Sequence, residues 1–191
     1  MTTNETRFYA GLEIRQAGTA RPRLTGYAAT FDKQSHDLGG FVEIIRRGAF
    51  SRSLRENPDV RAFVEHDVRN IIGRRSAGTL DIGEDAHGLR IEISPPDTQA
   101  GRDVVENVRS GNLDGMSFAF KIPDKNKGQA WHFDKNPAVR ELLDLDVFEV
   151  SVVAIPAFPD TDVALRSLAE ARERCGYRPS VDLLTRKLLL R

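Results

Sequence analysis

The chain has 191 residues, 40% of them hydrophobic and 29% charged, with 28 Lys and Arg balanced by 28 Asp and Glu. This is ordinary soluble globular composition and excludes a disordered or fibrous chain; the zero net charge gives no support to a general nucleic-acid binder, which carries a basic excess. One cysteine, Cys175, excludes an internal disulfide and an intrachain thiolate cluster, and neither a signal segment nor an apolar run of membrane-spanning length is evident.

The neutrality is a sum of unlike parts. Residues 163–191 hold seven basic and three acidic residues, which leaves 21 basic against 25 acidic in the remainder. The expected organisation is a main domain over residues 1–162 and a basic helical tail over 163–191, in a reducing cytoplasm.

The first half predicts strands. Residues 8–15 and 24–31 alternate between apolar and polar side chains around a turn at 18–22. Residues 32–40 form a polar loop, 41–45 a short strand, and 49–55 a short helix that stops before Asn57-Pro58. Residues 60–65, 80–83 and 89–94 predict strands, the last ended by Pro95-Pro96. A helix follows over 98–109 with Asp97 as N-cap, Gly111 past its end, and Val104, Val105 and Val108 on one face. Residues 115–122 predict a strand, and the valine-rich stretch 142–155 a central one, ended by Pro156 and Pro159. The remainder predicts two helical pieces broken at 176–179. Many short strands with few helices point to an α+β fold, a mainly antiparallel, closed or nearly closed β-barrel flanked by helices.

Among the four histidines, His36 and His87 lie in polar, glycine-flanked loops and read as surface positions, and His132, in a polar stretch after Trp131, reads as a surface or hairpin residue. His66 differs. Val60, Ala62 and Val64 share one strand face and His66 ends it, which places an imidazole at the mouth of the core, as a general base or as a capped core histidine. Ser117 lies in GMSFAF, where Met116, Phe118, Phe120 and Ile122 form the core face and Gly115, Ser117, Ala119 and Lys121 the other. The plain reading is a solvent-facing strand serine. The chemical one is a nucleophile flanked by small residues, although Ala119 departs from the G-x-S-x-G elbow.

In LLDLDVFEVSVVAI, Asp144 and Asp146 alternate with apolar residues and face solvent, whereas Glu149 falls on the side of Leu143, Leu145 and Val147. A carboxylate there needs a partner. Two are open: an imidazole that it orients, or an arginine, Arg74 or Arg75. No phosphate-cradling glycine loop and no metal-ligand spacing is present, so no cofactor and no metal are expected. Cys175, in ERCGYR, is an incidental thiol.

The order His66, Ser117, Glu149 and its surroundings resemble the prohead maturation proteases of tailed phages. The stretches that carry the resemblance are GYAATFD, GAFSRSL, FVEHD with IIGRRSAGTL, DAHGLRIEI, NVRSGNLDGMSFAFKI and DVFEVSVVAIPAFPDTDV, from about Gly26 to Val163. The resemblance implies a fold like that of herpesvirus assembly proteases and a serine endopeptidase acting inside the immature procapsid in the host cytoplasm. It implies His66, Ser117 and Glu149 as catalytic residues, with an acid where the herpesvirus enzymes use a second histidine, and Arg74 near the oxyanion. The implied partners are the major capsid protein or a separate scaffold, the protease itself, and a second copy in a homodimer; no nucleic acid or membrane is implied. With no long extension after Arg191, processing of a fused scaffold is not suggested. Two alternatives remain: a noncatalytic capsid-assembly factor with a protease-like fold, and an unrelated β-barrel binding module that leaves the three residues scattered. The basic tail, with Leu165, Leu168, Ala169 and Arg172 at helical spacing, either docks on an acidic scaffold or packs on the body.

Overall fold

The computed structural model describes residues 4–16, 21–56, 59–154 and 161–176. Most of the turn at 18–22, the end of the valine-rich stretch at Ile155 and the last helical piece of the tail lie outside the described residues. In chain order the strands are β1 (Glu5–Ala10), β2 (Leu12–Arg15), β3 (Arg23–Thr30), β4 (Phe41–Ile45), β5 (Arg61–Val64), β6 (Asp67–Arg74), β7 (Leu80–Glu84), β8 (Gly88–Ile93), β9 (Gly115–Lys121), β10 (Gln129–His132), β11 (Ala138–Leu142) and β12 (Asp146–Val153). The helices are α1 (Ser51–Glu56), α2 (Gln99–Arg109) and α3 (Thr161–Arg174).

These strands form three sheets, β1-β9-β12-β5-β6, β2-β3-β8-β7 and β10-β11-β4. Pairing is antiparallel except for β12 with β5 and β11 with β4. The fold is therefore sheet-rich with few helices, but the expected closed barrel is not what forms among the described residues. The predicted first strand breaks at Gly11, whose φ of 121° turns β1 out of one sheet and β2 into the next. At the opposite edge β6 passes into β7 through a 3-10 turn, Arg75–Ala77. The chain turns at both corners where a barrel would continue its hydrogen-bond ladder, so among the described residues the two larger sheets share a core without joining.

Their shared core draws Met116, Phe118, Phe120, Val150 and Val152 from the first sheet and Leu24, Leu89, Ile91 and Ile93 from the second, all fully buried. Helix α1 packs against β12 and β7, and α2 against β2 and β6. The cap of α2 is Thr98 rather than Asp97. Thr98 is extended and its Oγ1 accepts from the Gly101 amide at 3.2 Å, whereas Asp97 pairs with Arg102. Gly101 permits this start, because a Cβ there would sit 2.0 Å from the Pro96 carbonyl.

The valine-rich stretch is not one strand. Leu142 ends β11, and the Leu143 and Asp144 amides both donate to the Gly128 carbonyl before β12 begins at Asp146. Asp144 and Asp146 face away from the core, where Arg52 binds both. The described part of the basic tail is α3. Its Leu168 packs with Leu38, Phe41 and Ala138 against the three-stranded sheet, and Glu170 pairs with Lys125 at 2.5 Å.

One polar system was not visible in strand alternation. Glu5 and Arg7 of β1, Glu43 of β4 and Arg140 of β11 are all buried. Arg140 Nη1 donates to Glu5 and Glu43 at 2.7 Å each, its Nε to Gln129 Oε1 at 2.8 Å, and Arg7 binds both glutamates. Burial alone would raise the Glu43 carboxyl; the Arg7 and Arg140 guanidinium groups outweigh it and hold the group below the usual carboxylate range. Breaking such a network strands uncompensated charge. Arg140→Ala is expected to cost about 3–5 kcal/mol of stability, measured by urea unfolding. A carboxyl depressed in the folded state contributes stability that is present at neutral pH and lost as pH falls below the ordinary carboxylate range. The acid-side decline in unfolding free energy should therefore be shallower in Glu43→Gln than in wild type.

Candidate active site

Ser117 sits in the middle of β9, opposite Phe8 of β1 and Ser151 of β12. Met116, Phe118 and Phe120 turn into the core, so Ser117 and Ala119 occupy the other face of the sheet, as alternation requires. The solvent-facing reading is overturned: Ser117 has no exposed surface. Strands flank it on both sides, and the His66 ring lies against its hydroxyl.

His66 reaches that face through an irregular turn. Strand β5 ends at Val64, and Glu65 and His66 then adopt left-handed backbone conformations, with φ of 52° and 59°. Such conformations cost an L-residue about 1–3 kcal/mol each and persist only where surrounding contacts hold them. Here the Glu65 amide donates to the Val152 carbonyl at 2.9 Å, and the Ala154 amide donates to Glu65 Oε1 at 2.7 Å. Both bonds tether the turn to the end of β12.

Glu149 arrives by a β-bulge. Val147 pairs with Phe120 and Glu149 with Ala119, so the register shifts across Phe148. The extra residue shifts the facing of the remaining strand by one position. Val147, Val150 and Val152 all face the core, whereas Glu149 and Ser151 join Ser117 on the opposite face. The expectation that Glu149 shares a side with Leu143, Leu145 and Val147 is thereby corrected.

The three side chains meet. His66 Nε2 lies 2.9 Å from Ser117 Oγ, and His66 Nδ1 lies 2.5 Å from Glu149 Oε1. An ionised carboxylate only accepts, so Nδ1 carries the proton toward Glu149; in the neutral ring Nε2 is then the acceptor, and the Ser117 hydroxyl donates to it. This arrangement can take a proton from Ser117 onto His66 while Glu149 stabilises the resulting cation. Ser151 Oγ donates to the same Glu149 oxygen at 2.8 Å. Ser151 and Glu65 escaped the sequence reading. The available signal for Ser151 was its spacing, two residues beyond Glu149 and so on the same strand face.

The arginine alternatives for Glu149 are engaged elsewhere: Arg74 binds Asp59, and Arg75 donates to the Leu54 carbonyl. Arg74 also lies at the end of β6 remote from the His66 turn, paired with Arg61. His36 is exposed, His87 stacks edge-on against Tyr27, and His132 lies 3.4 Å from Glu141. Cys175 is exposed. Among the described residues no group of three or more His, Cys, Asp or Glu is placed to hold a metal, and no helix is long and apolar enough to cross a membrane.

Residues 10–174 match the family of caudovirus prohead serine proteases. The fold is similar to that of the capsid assembly protease of bacteriophage T4, with a TM-score of 0.58 over 81% of this chain and 99% of that one. Sequence identity in that comparison is 10%, so the likeness speaks for the fold alone. No curated protein sequence matches. The family match runs from the end of β1 to the end of α3 and takes in His66, Ser117 and Glu149: the chain belongs to the caudovirus prohead serine protease family and is a serine peptidase of capsid maturation.

Proposed function

We propose that Ser117, His66 and Glu149 are the catalytic triad of this peptidase. The observation that carries the reading is the imidazole bridging a buried serine hydroxyl and a carboxylate. As Ser117 Oγ attacks a peptide carbonyl carbon, its proton passes to His66 Nε2. The imidazolium then gives that proton to the leaving amine as the C–N bond breaks, and an acyl-enzyme remains. Water attacks the ester, returns a proton through His66, and frees Ser117. Glu149 stays ionised throughout, fixing the tautomer and balancing the ring's charge.

The substrates in this reading are a separate scaffold or the scaffold-like segment of the major capsid protein, together with the protease itself, all inside the immature procapsid. Kinship of fold with the herpesvirus assembly proteases is part of the same proposal. It is supported by the order of histidine before serine along the chain and by the sheet-rich core behind the serine strand.

Ser117→Ala should abolish cleavage of coexpressed capsid proteins, followed by mass spectrometry, while leaving the unfolding transition in place. Processing by Ser117→Ala at the wild-type rate would sink the assignment. Glu149→Gln should lower kcat by roughly four orders of magnitude and His66→Ala by roughly six, by analogy with other serine triads. The turn carrying His66 supplies another measurement. Glu65→Ala removes the acceptor for the Ala154 amide and should lower kcat about tenfold, whereas Glu65→Gln keeps an acceptor oxygen and should retain most activity.

A further inference from the structure

We infer that Ser151 is a positioning residue, which acts on the reaction by holding the Glu149 carboxylate; the inference rests on the triad reading above. Ser151 is fully buried on β12, directly opposite Ser117 in the register. Its neighbours Val150, Val152 and Val153 are valines and equally buried. A β-branched apolar side chain would suit such a position better than a hydroxyl. A buried hydroxyl must find a partner, and this one donates to Glu149 Oε1 at 2.8 Å, the oxygen that also faces His66 Nδ1.

Two donors therefore converge on one carboxylate oxygen from two directions. The His66 contact alone leaves the glutamate free to swing about its side-chain torsions. The second bond comes from the same strand and removes that freedom, so the acid is aligned before substrate arrives. The Ser151 hydroxyl bonds to the acid and not to the Ser117 hydroxyl or the His66 ring, so it acts through Glu149. Its loss should affect the chemical step and spare substrate binding.

Ser151→Ala should lower kcat about ten- to hundredfold, the scale of one hydrogen bond to a charged group, with KM held within about twofold. Ser151→Thr retains the hydroxyl and should recover most of kcat. The downfield proton resonance of His66 Nδ1–H should be broadened or lost in Ser151→Ala and kept in Ser151→Thr. If Ser151→Ala does not fold, Ser151→Cys, a near-isostere with a weaker donor, must show a kcat loss of the same kind. Ser117→Ala and Glu149→Gln are measured alongside. If those two variants cleave at the wild-type rate, the triad reading fails and takes this inference with it. If they are inactive while the Ser151 variants keep wild-type kcat and an unchanged Nδ1 proton signal, the Ser151 inference alone is overturned.

Discussion

The bulge at Phe148 is the constraint on which the site depends. Without the extra residue, Glu149 would continue the alternation of Val147 and point at Phe118 and Phe120 in the core. An ionised carboxylate there would lose its hydration among apolar side chains, a cost of several kcal/mol. With the bulge, the valines on either side of it stay in the core and the acid moves to the face that carries Ser117. One inserted residue thus satisfies core packing and acid placement together, on the central strand of the five-stranded sheet.

A second break in alternation completes the movement. By strict period two, His66 belongs with Val60, Ala62 and Val64, whose face is the core. The left-handed pair Glu65 and His66 ends that parity and folds the ring back over β12 toward β9. Both irregularities are anchored to regular structure: the bulge lies between ladder pairs, and the turn is tied to Val152 and Ala154. The distances among the three side chains are therefore set by strand register, which is stiffer than a free loop, and the cost of the strained turn is met by bonds to the strand bearing Glu149.

These two breaks also explain what the sequence could and could not show. Alternation identified the Ser117 strand and its core face, the apolar run before His66, and the helix over 98–109 to within a residue. Each was right inside a regular stretch. Alternation put His66 and Glu149 on core faces and Ser117 on the opposite one, an arrangement in which the three cannot meet; the resemblance of the surrounding motifs, not periodicity, grouped them. The cap of α2 moved by one residue because Thr98 and Asp97 are both good caps, and the choice depends on Arg102 claiming Asp97. The barrel failed at its corners: the turn at Gly11 looks, in one dimension, like a strand that continues over 8–15, and β6 with the 3-10 turn after it was not read as a strand and corner at all.

The buried charges of β1 were the least legible feature, since Glu5 and Arg7 look like exposed members of an edge strand until Glu43 and Arg140 arrive from residues far along the chain. Apolar residues of similar volume could fill this space at no loss of stability, but they would hold β1 by burial alone. A one-residue slip of β1 along β9 would turn Glu5 and Arg7 to the opposite face and leave Glu43 and Arg140 buried without them. That mismatch separates the correct register from its neighbours by the cost of unpaired buried charge. In that register β1 is the strand that lies beside Ser117, with Phe8 opposite it. The charges on the core side of the sheet thus specify which backbone flanks Ser117 on the other.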